Sequence, residues 1–182
     1  MKLKCIAATF LLCLFISCNE NIETKKVEGK YTIDLPSYLD ETKDLNKAAS
    51  LQYKNDFKEF YVLVFDESTQ DFHKALSDGG LDYEPNLNGY SEILATDIAK
   101  SSGLSAAPKM QNRTINNLDA RILQFDGRVN DVDVFWKIAY LKGKNRYYQI
   151  LTWTPSTKKT DNEAAMDAIL NSFKETDKSK SR

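Results

Sequence analysis

The sequence predicts an α+β domain: a mainly antiparallel sheet of about six strands with helices packed on it, in the order β-β-β-α-α-β-β-β-α. Three observations indicate this class. Strand-like segments lie on both sides of two helix-like segments, and short polar turns join the later strands. A further helical segment follows the last strand. The 182 residues, of which 42% are hydrophobic, suffice for one core.

The first predicted strands are short and bounded by turn residues. Residues 31–35 alternate in polarity and stop at Pro36, and residues 48–53 and 59–66 are also strand-like. Alternation in the segment 59–66 gives it two apolar faces. One face carries Phe60, Val62 and Val64, and the other carries Tyr61, Leu63 and Phe65. This segment is therefore predicted to be a central strand that is covered on both sides.

Two helices are predicted to follow these strands. Residues 68–77 begin with Ser68, which can cap a helix, and they carry apolar side chains at helical spacing. Residues 90–101 show a second apolar stripe. The segment between the two helices, residues 78–88, is predicted to be a long exposed loop.

The second half of the domain is predicted to be an antiparallel meander that ends in a helix. The strand-like segments are residues 109–115, 118–128, 132–141 and 145–153. Residues 161–173 have the clearest helical spacing of apolar side chains, with acidic residues toward the N-terminal half, where they suit the helix dipole.

Three motifs in this domain resemble the PsbP-like superfamily. They are Tyr31-x-Ile33-x-Leu35-Pro36, the run from Arg146 to Leu151, and the run from Ile169 to Phe173. The resemblance covers most of residues 29–174 and implies an α/β/α sandwich. The superfamily includes photosystem II PsbP, a Ran-binding protein, bacterial lipoproteins and chaperones of secreted toxins. It has no shared catalytic residues, so the resemblance implies none here.

Residues 1–17 have the layout of a secretory signal peptide. Lys2 and Lys4 form a basic start, and the uncharged apolar residues 5–16 follow. This apolar run is shorter than the roughly 20 residues of a membrane-spanning helix. The segment is therefore predicted to direct export and not to cross the bilayer.

Cys18 follows this signal directly, after the small residue Ser17. The sequence Phe15-Ile16-Ser17-Cys18 resembles the lipobox of bacterial lipoproteins, although Leu is more usual where Phe15 stands. The resemblance implies cleavage before Cys18 and attachment of lipid, including palmitate, to that residue. It places the protein in a bacterial cell envelope, on a membrane, facing the periplasm or the cell surface. The alternative is an ordinary secretory signal with an incidental Cys.

The ends of the mature chain are predicted to be unstructured. Residues 18–28 are polar and read as a flexible tether, residues 29–174 as a single domain, and residues 175–182 as a disordered tail. If the signal peptide is removed and Cys18 carries lipid, the folded domain contains no free thiol. Disulfides, Cys nucleophiles and Cys-ligated metals are then excluded.

Few residues suggest catalysis. The chain has 25 basic and 26 acidic residues, which argues against nucleic-acid binding, and it lacks the glycine-rich loops that hold phosphates. No cofactor is therefore expected. The only His, His73, has acidic neighbours at Asp66, Glu67 and Asp71. These groups could bind a divalent metal, but acidic side chains near a helix start are also expected from the helix dipole alone.

A second group of acidic and amide side chains lies between two predicted strands. It comprises Asp126, Asn130, Asp131 and Asp133, and it lacks the residue order of an EF-hand loop. A turn is the simpler interpretation of this group, so no metal site is predicted from it.

Aromatic residues are concentrated in the last two predicted strands. Trp136 and Tyr140 share one face of their strand, and Tyr147 and Trp153 share one face of the next. Aromatic faces with polar edges can bind sugars or peptides, but they also fill cores. These four residues are therefore the candidate binding surface, and core packing is the alternative.

The sequence favours a non-catalytic binding or accessory domain on a cell-envelope lipoprotein. Its partners would be the membrane, through the lipid, and an envelope protein. One alternative is a toxin-neutralising immunity protein or chaperone. It is suggested by the members of the resembled superfamily and by the more acidic mature chain that loss of the two signal lysines would leave. Another is a metal-dependent hydrolase built on Asp66, Glu67, Asp71 and His73.

Overall fold

The computed structural model describes residues 21–178, so the predicted signal peptide and Cys18 lie outside the described residues. Ten strands and three helices follow one another within this range. They are β1 (Ile22–Val27), β2 (Tyr31–Pro36), β3 (Asp40–Glu41), β4 (Leu51–Asn55), β5 (Phe60–Ser68), α1 (Thr69–Gly79), α2 (Leu87–Ser101), β6 (Gln111–Ile115), β7 (Leu118–Val129), β8 (Val132–Lys142), β9 (Arg146–Pro155), α3 (Lys159–Ser172) and β10 (Lys174–Glu175).

Seven strands form the main sheet, in the order β3-β4-β5-β9-β8-β7-β6, and every neighbouring pair is antiparallel. The strands β1, β2 and β10 form a second, three-stranded antiparallel sheet. The predicted antiparallel α+β class is confirmed, with more strands than the expected six. Three of the ten strands, the two-residue β3 and β10 together with β1, have no counterpart among the predicted strand segments.

The main sheet is the middle of three layers, since hydrophobic clusters cover both of its faces. On one face α1 and α2 pack on side chains such as Leu63, Leu123 and Ile138. On the other face α3 and β2 pack on side chains such as Val62 and Ile150. The strand β5 lies centrally between β4 and β9 and contributes apolar side chains to both clusters, as its two apolar faces predicted.

Local capping sets the helix boundaries. The Ser68 hydroxyl accepts a hydrogen bond from the Asp71 backbone N–H at 3.1 Å, which starts α1 where the sequence predicted. The helix α2 begins at Leu87, earlier than expected, because the Asn86 side chain accepts from the backbone N–H groups of Asn88 and Gly89. The connection between α1 and α2 is therefore shorter than the predicted loop of residues 78–88.

Much of the predicted tether is a strand. All six residues of β1 pair with β2, and Gly29 turns the chain between them with a φ of 71°. Such a positive φ suits a residue without a Cβ. This differs from the prediction of a flexible segment at residues 18–28, because β2 offers β1 a free edge and its backbone hydrogen bonds do not require apolar side chains.

The predicted tail also starts later than expected. Glu175 belongs to β10, and its carboxylate accepts the Lys144 backbone N–H at 3.1 and 3.0 Å and the Tyr148 hydroxyl at 3.0 Å. Gly143 permits this contact, because a Cβ there would lie 2.1 Å from a Glu175 carboxylate oxygen. Within residues 21–178, none of the helices has the length and apolar character needed to cross a bilayer.

Candidate functional site

Four aromatic side chains form a continuous row across four adjacent strands of the main sheet. Tyr61 of β5 is the register partner of Trp153 of β9, Trp153 partners Trp136 of β8, and Trp136 partners Phe125 of β7. Because direct cross-strand partners point to the same face, the four rings stack side by side. Their centroids are 5.2, 5.2 and 6.3 Å apart along the row, and adjacent planes differ by 15°, 28° and 18°. We call these residues the aromatic row.

The aromatic row is only partly covered. Phe125 is 6% exposed, whereas Tyr61, Trp136 and Trp153 are half-buried. The Trp136 indole N–H is buried and has no hydrogen-bond partner among the described residues, and desolvation raises the pKa of the Tyr61 hydroxyl. Stacked rings with partly exposed edges and polar handles are suited to holding an apolar or ring-bearing ligand.

Two of the four predicted aromatic residues do not belong to this row. Tyr140 and Tyr147 are 0% and 1% exposed, beneath α1 and α2, so they are core residues and not a binding surface. Tyr147 stacks on Tyr90 with centroids 4.6 Å apart and meets Phe72 edge-on at 5.4 Å. This corrects the prediction, because alternation along a strand identifies the face of a residue but not the helix above it.

The aromatic pattern of the last two strands does not predict Tyr61 and Phe125 as members of the site. Both lie on the same sheet face as Trp136 and Trp153 and complete the row on either side. Tyr61 was placed on one face of its strand by alternation. Only the pairing of β5 with β9 brings that face next to Trp153, and pairing between distant strands is not visible in a single sequence.

The predicted acidic group is divided between the two faces of the main sheet. The Asp66 side chain is 3% exposed and pairs with the Lys30 ammonium at 2.9 Å and the Arg146 guanidinium at 2.6 Å. Its register partner is Tyr148, which belongs to the core under α3 and the small sheet. The carboxylate of Asp66 therefore neutralises two cations and does not face the other three residues of the group.

Glu67, Asp71 and His73 lie on the side of the main sheet that carries α1 and α2. Glu67 is the register partner of Tyr147, and desolvation, with a smaller contribution from the Asp71 charge, raises the pKa of its carboxyl group. The centroids of the His73 and Phe72 rings are 6.0 Å apart. Among residues 21–178, no group of three or more His, Cys, Asp or Glu side chains is arranged to hold a metal ion. The four residues of the hypothetical hydrolase site are thus not brought together.

The second acidic group is spread over β7, β8 and the turn between them. Asn130 and Asp131 have φ values of 49° and 66° at the turn itself, and Arg128 pairs with Asp131 and Asp133 at 4.0 and 3.7 Å. Asp126 instead accepts a hydrogen bond from Ser156 at 3.1 Å. The turn and these local contacts account for the four side chains.

A polar cavity of about 640 Å³ lies between α3 and the strands β6, β7 and β8. Lys137 points into it, is 6% exposed, and pairs with Asp167 at 2.7 Å and with Glu163 at 3.6 Å. Lys109 and Arg113 add two further cations to the lining. Because two carboxylates already neutralise the buried ammonium of Lys137, the cavity lacks an unpaired buried charge that would select a ligand.

Comparisons with known proteins identify the fold. No protein-family model matches the sequence, and no curated protein matches it significantly. The solution structure of cyanobacterial PsbP (CyanoP) from Synechocystis sp. PCC 6803 aligns with a TM-score of 0.61 and 10% identity, over 86% of this chain and 93% of that one. The chain therefore has a PsbP-like fold, as its motifs implied.

Two further structures align with lower TM-scores. LpqN, described as involved in cell envelope biogenesis of Mycobacterium tuberculosis, aligns with a TM-score of 0.48 and 13% identity, over 85% of this chain and 91% of that one. The Saccharomyces cerevisiae Ran-binding protein Mog1p aligns with a TM-score of 0.44 and 11% identity, over 85% and 95% of the two chains. These identities are too low to transfer a function.

Proposed function

We propose that this protein is a bacterial cell-envelope lipoprotein, anchored through Cys18, whose PsbP-like domain binds a partner and does not catalyse a reaction. The position of Cys18 carries this proposal. It stands directly after an uncharged apolar segment and four positions before Ile22, where β1 begins. A signal peptide, an acylated Cys and an exported domain would follow one another in that order.

The charged groups of the domain support a binding role. Asp66 is held between Lys30 and Arg146, and Lys137 is held by Asp167 and Glu163. Each of these buried charges is neutralised by its own partners within the domain, which offset its desolvation cost. The partly exposed aromatic row offers a surface on which an envelope protein partner would pack.

Replacing Cys18 tests the anchor. In cells labelled with an alkyne analogue of palmitate, the full-length protein should carry the label and sediment with membranes. The variant Cys18→Ala should lose the label, because the thiol that would accept the acyl chain is gone.

Cys13→Ala is the matched control for this experiment. Cys13 lies inside the apolar segment and would be removed with the signal peptide, so this variant should keep both the label and the membrane location. If Cys18→Ala still carries the label, or if the native protein does not, the anchoring proposal is wrong.

A further inference from the structure

The start of β1 lies beside the turn that joins β4 to β5. The Asn21 carbonyl accepts the Ser37 backbone N–H at 2.8 Å, just after the end of β2. The next residue, Tyr38, accepts a hydrogen bond through its carbonyl from the Asn55 side chain at 2.7 Å, and the Lys58 ammonium lies 4.4 Å from the Tyr38 ring centroid. The N-terminus and the β4–β5 turn, residues 56–59, therefore share one end of the domain, which we call the anchor end.

The anchor end carries the most exposed large hydrophobic side chain among residues 21–178. Phe57, at the tip of the β4–β5 turn, is 95% exposed, and Ile22, at the start of β1, is 55% exposed. A fully exposed Phe keeps a large apolar area in water, where burial would be favourable. Nothing within the described chain covers this ring, so a surface outside the domain is the available place for it.

The distance to the proposed lipid identifies that surface. Cys18 precedes Asn21 by three positions, so a fully extended chain places their Cα atoms at most about 11 Å apart. The acyl chains on Cys18 would lie in the bilayer, and Asn21 is tied to β2 by its hydrogen bond with Ser37. The anchor end is therefore held within reach of the lipid headgroups, whatever conformation residues 18–20 adopt.

We propose that the domain rests on the bilayer through the anchor end, with Phe57 inserted at the headgroup level. This inference depends on the proposed lipid anchor and specifies how the domain is oriented on it. Phe is among the side chains that peripheral proteins bury at the boundary between headgroups and acyl chains. Lys54 and Lys58 flank Phe57, but Asp56 pairs with Lys54 at 2.8 Å, so the contact is mainly apolar and does not depend on anionic lipid.

Phe57→Trp tests this orientation in the full-length, lipidated protein. The protein is reconstituted into vesicles of phosphatidylethanolamine and phosphatidylglycerol, with or without brominated acyl chains that quench Trp fluorescence. Subtracting the native emission of Trp136 and Trp153 leaves the emission of the added Trp. Brominated lipid should remove more than about half of that emission, because the ring is then at the membrane interface.

Lys26→Trp is the matched control. Lys26 is on the same strand as Ile22, its side chain is 56% exposed, and it lies about 14 Å further along β1 from the anchor end. Its added Trp should keep its emission in brominated vesicles.

Two outcomes would overturn the inference in different ways. Equal quenching of the two added Trp residues, or no quenching of either in vesicle-bound protein, refutes docking through Phe57 and leaves the anchor intact. Failure of the native full-length protein to associate with vesicles refutes the anchor, and the docking with it.

Discussion

Asp66 is a buried charge that the fold keeps by giving it two cationic partners. Lys30 comes from the β1–β2 turn and Arg146 from the start of β9, so one carboxylate joins the small sheet to the main sheet. The side chains of Lys30 and Arg146 are 33% and 31% exposed, and Asp66 is 3% exposed. The desolvation cost therefore falls mainly on the acid, and its two partners offset that cost.

Replacing Asp66 should be costly for this reason. We expect Asp66→Asn to lower the free energy of unfolding by about 2–3 kcal/mol, because it leaves two partly buried cations without a counter-charge. Asp56→Asn is the control, since it removes an ion pair from an acid that is 67% exposed and should cost less than about 0.5 kcal/mol. Urea unfolding of both variants measures the difference, and equal midpoints would contradict this account.

At the residue scale, the sequence predicts which side chains are aromatic and which face they share, but not what covers them. Trp136 and Trp153 belong to the partly exposed row, as the aromatic pattern suggested, whereas Tyr140 and Tyr147 lie in the core. Alternation fixes which face of a strand a residue occupies. Which part of that face a helix covers depends on where α1 and α2 cross the sheet. A single sequence does not show the position of those crossings.

Among the elements, β1 differs most from its prediction. Its residues, IETKKV, have neither a long apolar run nor regular alternation, so composition indicates a tether. Val27 is the one hydrophobic residue of β1 that packs against a core cluster. The strand β1 forms because β2 offers it an edge. The side chains of Tyr31, Ile33 and Leu35 hold β2 in the core as far as Pro36, and the backbone groups along its edge are available for pairing.

Hydrogen exchange distinguishes a paired strand from a tether. We expect backbone amides of β1 that point toward β2 to exchange at least about tenfold more slowly than unstructured amides, because each must first break a hydrogen bond. The amides on the opposite side of β1 face no strand and serve as the internal control. Uniformly fast exchange across Ile22–Val27 would mean that the segment is a tether after all.

The remaining elements were predicted to within a few residues. The turn-forming residues Pro, Gly and Asn, together with the spacing of apolar residues in each segment, were sufficient to predict β5, α1, α3 and the meander from β6 to β9. The boundaries that moved, such as the start of α2, depend on a cap that only the folded chain reveals. Asn86 was inside the predicted loop, and its side chain turned out to start the helix.

At the scale of the whole molecule, the three layers follow from two apolar faces on the central strands. A sheet with α1 and α2 on one side, and with α3 and a small sheet on the other, buries both faces. The motifs that resemble the PsbP-like superfamily lie in β2, in β9 and at the end of α3. All three contribute side chains to the cluster on the face covered by α3 and the small sheet. The resemblance therefore predicted the fold but, being structural, carried no information about a ligand.

Partner binding by the aromatic row is tested on the intact protein in its own cells. A photoreactive benzoylphenylalanine at Tyr61, a half-buried residue of the row, should give a discrete crosslinked species, because a bound partner would pack against the exposed ring edges. The same group at Lys26, on the small sheet, is the control and should give no such species. Identical crosslinks at the two positions, or none at Tyr61, would contradict binding at the row.

The direction of β1 has a mechanical consequence. Tension on an N-terminal anchor would enter the domain at Asn21 and pull along the axis of β1, in the direction in which the antiparallel β2 runs. All six paired residues of Ile22–Val27 would then bear the load together, in shear, and would not separate one after another as in peeling. A domain attached in this way is expected to withstand tugging between its membrane and its partner without unravelling from the attached end.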